Sequence, residues 1–285
     1  MTRALAIDIG GTKLAAAVVT DAGQVRRRVQ VSTDAPDSEA LFDRLVKLSR
    51  QALEHETVDV CGVGCGGPMT PHGETVSPLN ITVWRGFPLR SRLQNALGLP
   101  VFIDNDAKAL ARGEWWLGAA KGLDQFLAMV VSTGVGGGIV TDGRLLHGLT
   151  GNAGHIGHVV VEPDGQVCAC GGRGCLEAEV SGPSLRARYG VEPSDAPLEA
   201  KVRCGTLVGR AVASVVSLLD LHLTVVAGSV ALGYGEVFFG AANRELQARA
   251  GLEFTRGARI VPAALGDGGP LVGAAAVGFD GLGLA

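Results

Sequence analysis

Residues 4–19 read ALAIDIGGTKLAAAVV, two apolar runs (Ala4–Ile9 and Leu14–Val19) joined by Gly10-Gly11-Thr12-Lys13. That pattern predicts a β-hairpin, and Val25–Val31, after the turn signal Asp21-Ala22-Gly23, predicts a third strand. Two glycines let the backbone turn tightly and present N–H groups to an anion. Asp8, at the strand end, places a carboxylate where a hydrated Mg²⁺ could sit. An ordinary hairpin turn accounts for the same glycines. What separates the readings is a second loop, Ser132-Thr133-Gly134-Val135-Gly136-Gly137-Gly138, in the matching place of the second half. Two such turns facing across a cleft form a phosphate clamp. Neither is a Walker A loop, since the chain contains no G-x-x-x-x-G-K-[ST].

Outward from the hairpin, Leu41, Leu45, Leu48 and Leu53 fall at helical spacing, and Val58–Gly64 returns to strand. Leu89–Leu97 reads as a helix, Val101–Ile103 as a strand and Ala107–Trp116 as a helix. The second half repeats the order: strands at Phe126–Val131 and Gly138–Val140, extended chain at Leu145–His147, an irregular stretch from Gly148 to Cys175, a helix at Leu207–Leu219. It closes with strand Leu223–Ala227, helix Val237–Leu246, strand Arg259–Pro262 and helix Leu271–Val277. The repetition predicts a duplicated α/β fold of two lobes with a central cleft, divided near Leu117–Lys121 into residues 1–117 and 118–285, the last helix returning to the N-terminal lobe. Ligands in such folds sit at the carboxyl ends of strands.

Composition narrows the classes. Glycine makes up 43 of 285 residues, roughly twice the usual share, without the Gly-X-Y period of collagen. With 47% hydrophobic and 19% charged residues the chain can bury a core, which excludes the disordered class. A net charge of -3, from 25 basic and 28 acidic residues without long runs, offers no footprint for nucleic acid or an anionic membrane. The opening MTRALAIDIGG carries no export signal and no apolar run is long enough to span a bilayer, so a cytoplasmic location is expected. There, six cysteines read as metal ligands or core residues before disulfides.

Three further motifs matter. Gly62-Val63-Gly64-Cys65-Gly66-Gly67 matches G-x-G-x-x-G, but the following Pro68-Met69-Thr70-Pro71 cannot open the helix on which a dinucleotide pyrophosphate would rest. Ile103-Asp104-Asn105-Asp106 ends a strand in three polar side chains; they serve either as an N-cap cluster or as a cleft carboxylate that accepts the proton of an attacking alcohol. His158, Cys168, Cys170 and Cys175 combine one imidazole with three thiolates within 18 residues, the donor set of a closed tetrahedral Zn²⁺ site. Gly171, Gly172 and Gly174 suit metal knuckles better than a core. Cys61, Cys65 and Cys204 lie in apolar surroundings and read as core.

Taken in order, Asp8-Ile-Gly-Gly-Thr-Lys13, Asn105-Asp106-Ala107, Ser132–Gly138 and the His158/Cys168–Glu177 loop resemble the ROK family of repressors, open reading frames and sugar kinases. The resemblance implies the actin-like ATPase (ribonuclease H-like) fold with ATP, Mg²⁺ and a structural Zn²⁺, and transfer of a γ-phosphoryl group to a hexose, usually at O6. It makes Asp106 the catalytic base and Asp8 the residue near Mg²⁺. Gly10, Gly11, Thr12 and Lys13, with Thr133, Gly134, Gly136 and Gly137, become the phosphate loops, and Gly228 the adenosine-side turn. Gly67, Asn80, Asn105, Asp106, His158 and Glu177 match sugar-holding positions, so His158 would serve metal and sugar alike.

One departure bears on the acceptor. Family glucokinases carry E-x-G-H, where this chain has His155-Ile156-Gly157-His158, which replaces a carboxylate near C1 and C2 of the sugar by an imidazole. Neutral drift of an outer sugar contact accounts for His155 as well. The G-H-I-G-H string and the opening hairpin are similar to N-acetylmannosamine kinases, whereas Ser77–Asn80 and Trp84–Pro88 look like glucose-type members. N-acetylmannosamine is the preferred acceptor on this reading; glucose, another amino sugar such as kanosamine, or a sugar-like cyclitol are the alternatives, and polyphosphate is the alternative donor. Family repressors place a helix-turn-helix segment of roughly 60–80 residues before the Asp-Ile-Gly-Gly turn, and Asp8 stands eight residues in, so a kinase is expected. The family is commonly dimeric or tetrameric, and neither nucleic acid nor membrane is an expected partner.

Overall fold

The computed structural model describes residues 1–284. In chain order the elements are β1 (Arg3–Ile9), β2 (Lys13–Thr20), β3 (Val25–Ser32), α1 (Ser38–Leu53), β4 (Val60–Cys65), α2 (Leu89–Leu97), β5 (Val101–Asn105) and α3 (Asp106–Leu117). There follow β6 (Phe126–Val131), β7 (Val135–Thr141), β8 (Arg144–Leu145), α4 (Leu176–Val180), α5 (Gly182–Tyr189), α6 (Leu198–Leu219), β9 (Leu223–Ala227), α7 (Ser229–Arg249), β10 (Arg259–Pro262) and α8 (Gly269–Gly281).

The strands form two five-stranded mixed sheets, ordered β3-β2-β1-β4-β5 and β10-β9-β6-β7-β8. Read from the other edge, the second is β8-β7-β6-β9-β10, the same path as the first. The directions repeat too. β1 pairs antiparallel with β2 and parallel with β4, and β6 pairs antiparallel with β7 and parallel with β9. The chain divides into two compact units: Met1–Lys121 with His147–Ala153 and Leu265–Ala285, and Gly122–Leu146 with Gly154–Ala264.

In β1, alternation sorts large from small. Leu5, Ile7 and Ile9 join Leu41, Phe42 and Leu45 of α1 in one core, and Ala4 and Ala6 join Leu271, Ala274 and Phe279 of α8 in another. The small-residue face lets α8 approach closely: a Cβ on Gly62 of β4 would meet the Ala274 carbonyl, and one on Gly113 of α3 would lie 3.0 Å from Gly273. Asp8 continues the Ala4–Ala6 face, so the same alternation that builds the core delivers a carboxylate to its end. In the second unit, α6 meets α7 by a similar device, a Cβ on Gly205 facing the Phe238 carbonyl and one on Gly209 the Ala242 carbonyl.

Several elements depart from the sequence reading. β7 begins at Val135, not Gly138, because its pairing with β6 runs without a break from Val131↔Val135 to Phe126↔Val140. The extended chain expected over 145–147 is strand only at Arg144–Leu145. α4 and α5 are absent from the sequence reading: they span five and eight residues, too short for a periodic signal, and Ser181 caps the second by accepting from Ser184 N. α6 starts at Leu198, since Ala200 and Cys204 extend its buried stripe through Glu199, Lys201 and Arg203. α7 starts at Ser229 and is interrupted at Gly235 (φ +53°). With 22 residues and a mean hydropathy of 1.5 over an 18-residue stretch, α6 meets the length and composition of a membrane span, against the expectation that no segment does; half of that stretch is buried inside the protein, as in a core helix.

Candidate active site

Parallel register brings the polar ends of three strands level. Asp8 of β1 pairs with Gly64 of β4, and Gly64 with Asp104 of β5; one step on, Cys65 pairs with Asn105. α3 starts at Asp106, one residue earlier than predicted. Asn105 is its N-cap, accepting from Ala107 N (3.1 Å), and Asp106 Oδ1 also accepts from Ala107 N (2.9 Å). A Cβ on Gly64 would lie 3.3 Å from Ala109 Cβ, 3.6 Å from Asp106 Cα and 4.0 Å from Asp8 Oδ1, so that glycine lies between the start of α3 and the Asp8 carboxylate.

Half-buried Asp8 is pushed up to about 7, first by its removal from water and then by the charge of Asp106; Lys13 and Arg28 act against the rise. Burial first, then Asp106 and Asp8, drive the Cys65 thiol well above its usual range, so it stays neutral beside them. Cys61 and Cys204 are likewise fully buried. The Gly10–Lys13 turn is closed by Gly10 N donating to Lys13 O (3.0 Å) and braced by the buried Thr33, whose hydroxyl donates to Gly10 O (2.9 Å). Neither Gly10 nor Gly11 has a positive φ. Gly11 is needed for a different reason: a Cβ there would stand 2.7 Å from Asn80 Cβ. The turn and the loop carrying Asn80 are thereby in direct contact. Leu79 N donates to Gly67 O (3.1 Å), which sets Gly67 beside Asn80. Arg85, to which sequence reasoning gave no role, knits this loop by donating to the carbonyls of Pro78 (2.7 Å), Ile81 (2.9 Å) and Trp84 (2.6 Å).

In the second unit, Thr133 and Gly134 form the β6–β7 turn, closed by Ser132 N donating to Gly134 O (3.0 Å). Gly136 and Gly137 lie in β7. A Cβ on Gly137 would stand 3.2 Å from Gly154 O and from Ile156, so the Gly154–His158 segment packs directly on the strand. Gly228, at φ +102°, follows β9 and would drive any Cβ into the Val131 backbone. The next residue, Ser229, links back to the loop through its hydroxyl, 2.9 Å from that of Ser132. Glu177 of α4 fixes the start of β7, its Oε2 accepting from Val135 N (2.8 Å).

His158 ends a short 3-10 turn, its ring centroid 5.9 Å from that of His155. Its Nδ1 lies 3.7 Å from Cys168 Sγ, and Cys170 Sγ lies 3.8 Å from Cys175 Sγ. All four donor atoms fall within 4.8 Å of one another. A tetrahedral metal with bonds of about 2.3 Å to sulfur has sulfur–sulfur edges of about 3.8 Å, so the Cys170–Cys175 pair is already at that spacing. The knuckle glycines have distinct duties. Gly171 and Gly174 take positive φ (+90° and +72°), and a Cβ on Gly172 would stand 3.2 Å from Cys175 Sγ. Burial pushes the Cys175 thiol up to about 12, whereas hydrogen bonding, first from the Gly172 backbone, lowers exposed Cys170. Glu179, unremarked in the sequence, anchors the loop: fully buried, it accepts from Gln166 N (2.6 Å), Arg203 (2.6 Å) and Arg188 (3.1 Å).

A model of the ROK family matches residues 4–279. The chain belongs to the ROK family. It is 35% identical over 252 residues to the glucokinase of Halalkalibacterium halodurans, covering 83% of this chain and 75% of that one. It is 34% identical over 253 residues to the N-acetylmannosamine kinase of Yersinia pseudotuberculosis, covering 82% and 86%. Among solved structures it resembles the ROK family glucokinase from Streptomyces griseus in complex with glucose and AMPPNP, with a TM-score of 0.86 and 30% identity over 98% of this chain and 99% of that one. The two mixed sheets are those of the ROK sugar-kinase fold, which matches the actin-like ATPase fold.

The elevated Asp8 gives a test that is independent of any substrate. A carboxyl that titrates near 7 when folded and near 3.8 when unfolded favours the fold below pH 4, and that contribution is lost as pH rises through 7. Asp8→Asn removes the charged form. Discounted for partial exposure, the variant should gain about 1–2 kcal/mol over the parent at pH 7.5 and little at pH 4. Urea unfolding at both pH values measures it; an equal effect at both would show that Asp8 is not held in its protonated form.

Proposed function

We propose that this ROK protein is an ATP-dependent sugar kinase that phosphorylates a hexose at its 6-hydroxyl, with N-acetylmannosamine the preferred acceptor. The observation that carries the chemistry is Asp106, a carboxylate at the first position of α3 with Asp8 beyond the side-chain-free Gly64. Transfer of a phosphoryl group to an alcohol asks for a base at the hydroxyl, cationic or N–H groups at the phosphates, and a fixed acceptor.

Asp106 takes the 6-hydroxyl proton. The Ala107 N–H, donating to Oδ1, holds the carboxylate in one orientation. Asn105 uses its side-chain oxygen as the helix cap and keeps its amide N–H groups for a sugar hydroxyl. Glu177 spends Oε2 on Val135 N and keeps Oε1 as an acceptor; His158 turns Nδ1 to the thiol cluster and keeps Nε2. Gly67 and Asn80, held together through Leu79, complete the sugar contacts. The two glycine turns, Gly10–Lys13 and Thr133–Gly137, offer backbone N–H groups to the nucleotide phosphates, and Gly228 gives the adenosine side a backbone free of Cβ. Asp8 suits Mg²⁺: its oxygens are hard donors, and the Asp8–Asp106 pair is short of positive charge. When bound, that ion offsets phosphate charge. His158, Cys168, Cys170 and Cys175 suit Zn²⁺ in donor type and spacing, and the metal would hold the loop that presents His158 and Glu177.

The acceptor follows from position 155. An imidazole there has no fixed negative charge to pair with neighbouring hydroxyls, and its ring nitrogens suit recognition of a neutral N-acyl group. A second reading, glucose, is favoured by the Ser77–Pro88 loop and by the relative from H. halodurans at 35% identity.

Asp106→Asn preserves size and cap geometry while removing the base. Steady-state kinetics should show kcat reduced about 10²–10⁴-fold with sugar affinity and melting temperature retained; a near-normal rate would remove Asp106 from the chemistry. Cys175→Ser should lower bound zinc from about one per chain to well under half and raise KM for the sugar about tenfold or more. Metal analysis alongside kinetics checks this, and unchanged zinc with unchanged KM would separate the cysteine cluster from sugar binding.

A further inference from the structure

The first unit carries a partly open cavity of about 530 Å³ that the proposed reaction does not use. That is the size of a small-molecule site. Its walls combine apolar surface, including Phe102 and Val277, with Arg90, Arg112, His72 and His147.

One oxygen of each carboxylate in this cavity is already engaged. Asp104 Oδ1 accepts from Asn105 N (2.8 Å), and Asp280 Oδ2 takes Nη1 of Arg112 (2.8 Å). A donor is left over: Arg112 Nε is buried without a hydrogen-bond partner, 3.9 Å from Asp104 Oδ2. Such a donor is costly to leave unmatched. Arg90, on the same wall, spends Nε on Val101 O (3.2 Å) and stands 3.9 Å from Glu74. We propose that the cavity binds a small organic anion whose carboxylate or phosphate head accepts from Arg112 and Arg90 and whose body lies against Phe102 and Val277. A guanidinium fork matches either head in a bidentate manner.

The leading charges at the cavity differ from those at Asp8. The charges felt by Asp8 are those of Asp106, Lys13 and Arg28. His147, lowered first by burial, feels Asp104, Lys108, Arg112 and His72. The walls nevertheless continue into sugar-site segments: Met69 lies two residues after Gly67, Asp104 immediately before Asn105-Asp106, and Gly151 four residues before His155. Lys108 Nζ donates to Gly151 O (2.7 Å), and Asn152 brackets Met69 through N–H (3.2 Å) and carbonyl (3.0 Å) bonds. An effect of the occupant on sugar KM rests on the kinase reading; its binding does not.

The test follows the ring signals of His72 and His147 by NMR as the full chain is titrated with phenyl phosphate, benzoate and inorganic phosphate. One or both organic anions should shift both rings saturably, the tighter of the two identifying the head, with inorganic phosphate weaker by about tenfold or more. Arg112→Lys should weaken binding about fivefold or more, and Asp106→Asn should leave it unchanged. Because Arg112 also pairs with Asp280, Arg90→Gln provides a second variant, expected to weaken binding with an unchanged melting temperature. Absence of a shift with either organic anion at about 10 mM, equal affinity in both arginine variants, or loss of binding in Asp106→Asn would overturn the proposal.

Discussion

Two carboxylates that repel each other, Asp8 and Asp106, are the constraint around which the first unit is arranged. Parallel pairing of β1, β4 and β5 sets Asp8, Gly64 and Asp104 on one rung, and α3 starts two residues later. A side chain at position 64 would press on the start of α3 and on the Asp8 carboxylate. The repulsion is tempered rather than removed. Lys13 and Arg28 oppose the rise of Asp8, and Cys65, kept neutral by burial and by the same two acids, adds no third charge. A site poised in this way gains from any cation that enters it, which is the electrostatic requirement of phosphoryl transfer.

Glycine carries the second constraint, close approach of backbone. Gly62 and Gly273 seat α8 on the first sheet and on α3, Gly11 admits the Asn80 loop, Gly137 admits the Gly154–His158 segment, and Gly228 lets β9 turn against Val131. Each removes a Cβ where two segments touch. Core and site are therefore built by one device, and the site segments inherit the rigidity of the elements they lean on.

Much of this is legible in the sequence, for identifiable reasons. The opening hairpin is marked by two apolar runs around a glycine turn, α2 by Leu89, Leu93 and Leu97 with Gly98 at its end, and the His158/Cys168/Cys170/Cys175 cluster by one imidazole and three thiols within 18 residues. The duplication is visible as a repeated order and appears in the structure as two sheets of the same path. Long-range partnerships are not legible. Arg28 reaches Asp8 from β3, Arg85 gathers three carbonyls of its own loop, and Glu179 joins the cysteine loop to arginines of α5 and α6. Nothing in the local pattern separates these charges from solvated ones. The reason for Gly11 is equally hidden, since it lies in a side chain 69 positions away rather than in the turn itself.

Product analysis tests the central claim, an ATP-dependent kinase acting on the 6-hydroxyl of a hexose, most directly. The protein is incubated with ATP and Mg²⁺ and, in turn, N-acetylmannosamine, glucose, kanosamine and 6-deoxyglucose, and the products are read by ³¹P and ¹³C NMR. The account predicts a 6-phosphate, the highest kcat/KM with N-acetylmannosamine, and no product from the 6-deoxy sugar. Phosphorylation of 6-deoxyglucose, a phosphate at another carbon, or no ADP released with any of the sugars would contradict it.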